Sequence, residues 1–242
     1  LGGGGLKVPD RGQADGIKAE AAPPFLSVLK HLLSIRSYRH LVVTSALSNL
    51  AMFGVIQWMP AYLIRQFGLG VAEVGFYFGV ALGLGAAGGA IVGGLVANYL
   101  VKRNFMWLVW LPLISAVSVF PLYELAIFAP SATVSLGLIM AVNILGGVSF
   151  GPLLTATQTV VLPNMRASAS AFVGFTSSVI GVGGGPLLVG ILSDYFAPTY
   201  GSAVGLQYAL AIAVAVTLWG VVHYFLLIKA YPNDRLALDT GS

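Results

Sequence analysis

The chain has 242 residues, of which 57% are hydrophobic and only 8% are charged. A soluble domain carries about 25% charged residues, so this composition excludes an ordinary soluble fold. Cysteine is absent, which excludes disulfide bridges and thiolate metal sites. The net charge of +4 is compatible with a nucleic-acid partner, but the positions of the cations favour a membrane protein, and we expect no nucleic-acid partner.

The first segment, residues 1–24, is rich in Gly, Ala, Pro and charged residues, which predicts a flexible linker on the cytoplasmic side. Because the chain starts with Leu1 and shows no secretory leader, we expect it to be a fragment of a longer protein. In the next segment, "FLSVLKHLL", apolar residues recur at helical spacing, with Lys30 and His31 opposite them. This pattern predicts a short interfacial helix over residues 25–36; the alternative is an early turn of the first membrane span.

Long uncharged runs follow, and each is long enough for the roughly 20 residues that cross a hydrocarbon core. We therefore predict an all-α membrane protein whose six-span bundle covers residues 37–230, followed by a cytoplasmic tail over 231–242. The predicted spans are Tyr38–Phe67, Val71–Leu100, Phe105–Phe128, Ala132–Leu162, Ala167–Phe196 and Ala203–Lys229.

The cations predict the orientation of these spans. All lysines and arginines except Arg65 fall on one side of the six-span arrangement. By the positive-inside rule this side is cytoplasmic, so both ends of the segment should face the cytoplasm. We expect a multi-pass protein of a bacterial inner membrane.

Glycines are concentrated in the second span, where small residues form two lanes at four-residue spacing. The first lane is Gly75, Gly79, Gly83 and Ala87, and the second is Gly85, Gly89 and Gly93. In a bilayer, small residues let helix backbones approach closely. We therefore expect these lanes to pack against neighbouring helices.

The fifth span contains "IGVGGGPLLVGILSD", which looks at first like a phosphate-binding loop. A phosphate loop needs a preceding strand and usually a closing Lys-Ser/Thr pair, and neither is present here. Helix packing is the better interpretation of its glycines. Pro186 removes a backbone hydrogen bond within this span, and we predict that it helps the helix bend during gating.

Three stretches together resemble the C-terminal six-helix half of a major facilitator superfamily transporter. They are "GGLVANYLVKRN" (Gly93–Asn104), "LPNMRASASAF" (Leu162–Phe172) and the stretch from Ile180 to Asp194. The last two, followed by "YGSAVGLQYAL" and preceded in the linker by "VPDRG", are most similar to the Spinster-like branch. The resemblance implies a transporter rather than an enzyme, with no cofactor and no metal.

The resemblance also implies residues with motif or gating roles: Gly94, Asn98, Lys102, Arg103, Arg166, Gly185, Pro186 and Asp194. The loop motif usually carries Asp where this chain has Asn98 and a basic residue where it has Tyr99, so its charge relay is weakened. Lys102 and Arg103 either pair with helix ends on that side or serve as positive-inside anchors.

Polar side chains at membrane depth are costly and often functional, although they also join helices. The resemblance places the first and fourth spans beside a central cavity. Our candidates for substrate contact are Asn49, Gln57 and Asn143, with Gln158 as a weaker one. The alternative for each is a structural hydrogen bond. His223 lies in the last span with no partner visible in the sequence, and we expect it to pack between helices.

Buried carboxylate pairs, buried Lys or Arg, and His clusters are absent at mid-depth in the predicted spans. The resemblance to the Spinster-like branch implies that the charged coupling residues lie mainly in an N-terminal six-helix half, which this chain lacks. The predicted partners are that half, the bilayer, a small organic substrate and, in a coupled mechanism, a proton.

The leading hypothesis is a secondary active transporter, a symporter or antiporter working by alternating access. The branch resemblance implies a lipid-like amphiphile as substrate. One alternative is an organic-anion/proton symporter of the sugar-acid type, and another is a self-contained six-span protein that dimerises. An intramembrane enzyme would need an activated nucleophile or metal ligands at one depth, and the sequence offers no such set.

Overall fold

The computed structural model describes the backbone of residues 25–240 and the side chains of residues 26–235. The predicted linker over residues 1–24, including "VPDRG", lies outside the described residues. The described part is helical, and its helices are α1 (Phe25–Ser34), α2 (Arg36–Phe67), α3 (Val71–Val101), α4 (Trp107–Ile127), α5 (Ala132–Thr159), a 3-10 helix (Pro163–Met165), α6 (Arg166–Ser177), a π-helix (Ser178–Gly184), α7 (Gly185–Tyr200) and α8 (Ser202–Thr240).

Within the described residues, six helical segments are long and apolar enough to cross a membrane, as the sequence predicts. The fifth of these comprises α6, the π-helix and α7 together. Most predicted boundaries agree with the observed helix ends to within three residues. The helix α1 occupies the segment where we predicted an interfacial helix, and its position relative to a membrane surface stays a prediction.

The end of α8 differs from its prediction. We placed the end of the last span at Lys229 and a tail after it, whereas α8 continues through Pro232 to Thr240. Tyr231 is fully buried, and its hydroxyl lies 2.7 Å from the hydroxyl of Thr159 at the end of α5. Packing therefore carries the helix beyond the point at which the apolar run stops.

The fifth span also differs, because we predicted one continuous helix over Ala167–Phe196. A π-helix of seven residues, Ser178–Gly184, interrupts it. Glycine has a low helix preference, and Pro186 has no N–H with which to bond the carbonyl four residues earlier. The segment therefore has little intrinsic preference for a regular α-helix, and π-helical turns of this kind are frequent at functional sites.

Two buried apolar clusters hold the bundle together, one towards each end. The first is built around Met59, Tyr62 and Leu210. The second is built around Tyr38, Leu41 and Leu227. The most extensive packing pairs α2 with α8 and α3 with α5, and α5 also packs along α4.

The two glycine lanes of α3 have different surroundings. The lane Gly85, Gly89 and Gly93 is buried against α5, and a methyl group built at Gly85 would lie 2.9 Å from the carbonyl oxygen of Met140. By contrast, no atom lies within 4 Å of a methyl group built at Gly75, Gly79 or Gly83. The second lane packs as predicted, whereas the first is open in the described part of the chain.

Candidate functional site

The helix α2 runs alongside the fifth span, and the two approach most closely at the π-helix. A methyl group built at Gly181 would lie 2.7 Å from the Cβ of Asn49. One turn further on, a methyl group built at Gly54 would lie 3.2 Å from the carbonyl oxygen of Gly185. Small residues on both helices therefore bring the two backbones into contact here.

Two predicted gating residues, Gly185 and Pro186, lie at this crossing. A methyl group at Gly185 would overlap the backbone of Leu50, so only glycine fits at this position. The carbonyl oxygen of Pro186 accepts a hydrogen bond of 2.9 Å from the indole Nε1 of Trp58. This bond ties α2 to the first turn of α7, directly after the π-helix. Whether this crossing moves stays a prediction.

The predicted substrate-contact residues of α2 differ in how they are engaged. Asn49 is half-buried, and its amide donates a hydrogen bond of 2.8 Å to the carbonyl oxygen of Ser45 on its own helix. Gln57 is exposed, and its amide makes no hydrogen bond among the described residues. Of the two side chains, Gln57 has the more available polar group.

Asn143 lies at the contact between α5 and α3. Its amide donates a hydrogen bond of 2.8 Å to the carbonyl oxygen of Ile139, and its Cβ lies against Gly85. Less than one turn away, Met140 lines an open, mostly apolar cleft of about 410 Å³ between α3 and α5. The amides of Asn49, Gln57 and Asn143 form no hydrogen bonds with one another in the described structure.

Gln158 and Arg166 lie together at the connection between α5 and α6. The amide of Gln158 lies 3.5 Å from the hydroxyl of Ser170. The Nε of Arg166 donates a hydrogen bond of 3.2 Å to the carbonyl oxygen of Gln158, near the end of α5. A cation is favourable at the carbonyl end of a helix, so this pair fixes the turn between the two helices.

The residues of the loop motif lie at the end of α3. Gly94, Asn98, Lys102 and Arg103 are all exposed. The guanidinium of Arg103 lies 4.4 Å from the centre of the Tyr99 ring and also donates a hydrogen bond to its hydroxyl. Tyr99, which departs from the family motif, thus engages Arg103, two residues beyond the end of α3. Asp194, the last predicted gating residue, is exposed on α7.

Two contacts at the shared end of α2 and α8 were not predicted. The Nδ1 atoms of His40 and His223 lie 3.0 Å apart, so one ring donates a hydrogen bond to the other. The carboxylate of Asp234 accepts a hydrogen bond of 2.7 Å from the backbone N–H of Ser37, in the first turn of α2. The sequence separations of 183 and 197 residues leave no local pattern from which either pair could be found.

Comparisons with known proteins identify the family. The family model described as Major Facilitator Superfamily matches residues 5–186. An MFS-type efflux pump of Mycolicibacterium smegmatis is 30% identical over 84% of this chain and 47% of its own length. A sphingosine-1-phosphate transporter of Danio rerio is 27% identical over 94% of this chain and 49% of its own length.

The structure of a bacterial homologue of the human lysosomal transporter Spinster, in an inward-facing and unoccupied conformation, resembles the fold with a TM-score of 0.79. It shares 21% sequence identity, and the match covers 90% of this chain and 54% of that one. This chain therefore spans about half the length of the relatives it matches. The relatives are transporters and not enzymes, in agreement with the prediction. The chain belongs to the Major Facilitator Superfamily, as predicted, and the six membrane-length helices of residues 25–240 form one Spinster-like half of that fold.

Proposed function

We propose that this chain is the C-terminal half of a secondary active transporter that moves an amphiphilic, lipid-like organic solute by alternating access. The main support comes from two relatives, one named as an efflux pump and one as a sphingosine-1-phosphate transporter, which match 84% and 94% of the chain. A substrate with a polar head and an apolar tail suits the cleft between α3 and α5, because apolar residues such as Val80, Leu136 and Met140 form most of its wall.

For substrate contact we propose Asn49, Gln57 and Asn143. Gln57 is the strongest candidate, because its amide is exposed and makes no hydrogen bond among the described residues. Asn49 and Asn143 each donate to their own helix and so keep the side-chain oxygen as an acceptor for a ligand. Gln158 remains a weaker candidate, because its amide faces Ser170.

The proposed gate is the contact of α2 with the π-helix, Gly185 and Pro186. Alternating access requires one group of helices to rock against another, and discontinuous helices permit such movement. Asp194 lies exposed at the far part of α7, and the loop residues Asn98, Lys102 and Arg103 lie exposed at the end of α3. We assign Asp194 to the outer face of the gate and the loop residues to its cytoplasmic face.

The complete transporter requires a second six-helix half, which supplies the other wall of the substrate cavity and the proton-coupling groups. We place it in a bacterial inner membrane with both ends of this segment in the cytoplasm, because nearly all cations lie at that end of the spans. We propose that transport is coupled to protons, and the transport assay tests this coupling.

The transport assay uses the complete protein reconstituted in vesicles, with a labelled lysophospholipid and a labelled sugar acid offered separately. We expect accumulation of the lysophospholipid, and its dependence on a pH gradient reports proton coupling. Gln57→Leu should reduce transport of the lysophospholipid. As a control, Gln207→Leu makes the same change at a half-buried glutamine, whose amide donates a hydrogen bond of 2.8 Å to the carbonyl oxygen of Ile127; it should lower stability without changing substrate preference.

Accumulation of the sugar acid alone would overturn the amphiphile proposal in favour of an organic-anion symporter. One relative supports that alternative: a probable galactarate/D-glucarate transporter of Escherichia coli is 31% identical, but only over 36% of this chain. Because the match is so short, we favour the amphiphile.

A further inference from the structure

A second cavity lies apart from the proposed transport path, between the start of α2 and the last turns of α8. Its volume is about 390 Å³. Arg36 and His40 of α2 line it on one side, and Lys229 and Asn233 of α8 line it on the other, with Leu226 as an apolar wall. Basic and amide groups therefore converge here beside a membrane helix.

Arg36 differs from the other arginines of the described structure because its charge is not engaged. The other arginines among residues 26–235 each have a partner: Arg39 with the Leu33 carbonyl, Arg65 with the Ser202 carbonyl, Arg103 with Tyr99, Arg166 with the Gln158 carbonyl and Arg235 with the Phe105 ring. In that range no hydrogen bond or ion pair is found for Arg36 or Lys229, and both side chains are exposed.

The single carboxylate in the cavity wall offsets only one of the two positive charges. Asp234 lines the cavity, but one of its oxygens accepts the 2.7 Å hydrogen bond from the N–H of Ser37. Two cations thus face one carboxylate that is already engaged by the first turn of α2. The cavity is left with an excess of positive charge, which is complementary to an anion.

The side of α8 that enters the cavity continues as an exposed apolar strip. Trp219, Val222 and Leu226 are 67%, 56% and 41% exposed. Lys229 follows Leu226 after three residues, and Asn233 follows Lys229 after four. All five residues therefore lie on one face of the helix. This face changes from apolar to cationic along its length, as an acyl chain with an anionic head group requires.

The two histidines connect the strip to the cavity. The ring of Trp219 lies nearly parallel to that of His223, with an angle of 24° and 6.4 Å between centroids. His223 in turn bonds His40, whose ring lines the cavity. These contacts hold Trp219 in the strip and His40 in the cavity wall.

We propose that this cavity and strip form a binding site for one anionic phospholipid. The phosphate lies between Arg36 and Lys229, Asn233 donates a hydrogen bond to the head group, and one acyl chain lies along Trp219, Val222 and Leu226. Lysine and arginine side chains near a membrane surface attract anionic lipids in this way. The proposal is independent of the transported substrate, because the site lies outside the contact between α2 and the fifth span.

The test uses the full-length protein in vesicles that contain phosphatidylcholine and phosphatidylglycerol, with bromine on the acyl chains of one lipid at a time. Bromine quenches indole fluorescence on contact, and the difference between the native protein and Trp219→Phe isolates the signal of Trp219. We expect brominated phosphatidylglycerol to quench Trp219 more strongly than brominated phosphatidylcholine at equal mole fraction. The double variant R36Q/K229Q should reduce this preference about ten-fold.

The matched control is K102Q/R103Q, which removes two positive charges from the turn directly after α3. It should retain the preference for phosphatidylglycerol. Equal quenching by both lipids in the native protein, or an equal loss in the control, overturns the proposal, because general surface charge then accounts for the signal. Loss of the preference on adding inorganic phosphate at constant ionic strength overturns the lipid assignment in favour of a free anion. Thermal unfolding of both double variants checks that the fold is retained.

Discussion

At the scale of residues, most polar side chains inside the spans bond the carbonyl of their own helix. Asn49, Asn143 and Thr157 each donate to the residue four positions earlier. Because hydrocarbon offers no hydrogen-bond partner, such local bonds satisfy a donor without involving a neighbouring helix. Trp58 is different, because its indole bonds a carbonyl on another helix, next to a proline. Its hydrogen bond therefore joins α2 to α7.

We predict that Trp58→Phe lowers the stability of the protein by about 1 kcal/mol, the usual net value of one hydrogen bond. The variant removes the donor and leaves the half-buried Pro186 carbonyl without it. The measurement is the melting temperature of the purified protein in detergent. Trp110→Phe is the matched control, because Trp110 is 41% exposed and makes no hydrogen bond among the described residues. Equal losses in the two variants would show that ring volume, and not the bond to Pro186, matters.

At the scale of elements, α3 shows how glycines with the same spacing acquire different roles. Gly89 is buried, and a methyl group there would overlap the backbone of Ile144. Gly147 of α5 matches it, since a methyl group there would lie 2.8 Å from the carbonyl oxygen of Ala86. Gly83, on the other lane of α3, has no neighbour within 4 Å. The contact of α3 with α5 thus depends on backbone atoms, which cannot move aside as a flexible side chain can.

We predict opposite effects for Gly89→Ala and Gly83→Ala on the stability of this six-helix half. Gly89→Ala forces α3 and α5 apart, and overpacking of this kind costs about 1–3 kcal/mol. Gly83→Ala meets open space, and alanine is more favourable than glycine in a helix by up to about 1 kcal/mol. The melting temperatures of the two variants in detergent should therefore change in opposite directions. A loss of stability in Gly83→Ala as large as that in Gly89→Ala would contradict this account.

The same elements show what the sequence could and could not predict. The six spans follow from apolar length and breakers, because a membrane leaves few alternatives. Which lane of α3 would be buried does not follow, since both lanes have the same spacing and the choice depends on the rotation of α3 against α5. The π-helix and the pair formed by His40 and His223 were missed for a similar reason. They depend on contacts between helices that are distant in sequence.

At the scale of the whole molecule, the burial of the spans is uneven. In the most hydrophobic 18-residue stretch of each span, 39% of the residues are buried in α2 and in α4. The share falls to 22% in α3 and to 17% in both α5 and the fifth span. The open lane of Gly75, Gly79 and Gly83 lies on one of these less buried helices. Small residues allow a second helix to approach closely. We therefore propose this lane as a contact surface for the second half of the transporter.

A cysteine placed in the open lane of α3 distinguishes a half-transporter from a self-contained dimer. This chain has no cysteine, so Gly83→Cys introduces a single thiol at the open lane. If the lane faces a second half, the chain expressed alone should not transport lysophospholipid, and transport should appear only with both halves present.

In the complete protein, Gly83→Cys should form no disulfide with another copy under oxidising conditions. The exposed Gly94→Cys, at the end of α3, controls for collisions between molecules. A disulfide-linked dimer at position 83 only, together with transport by this chain alone, would establish the dimer instead, because the lane would then be occupied by a second copy of α3.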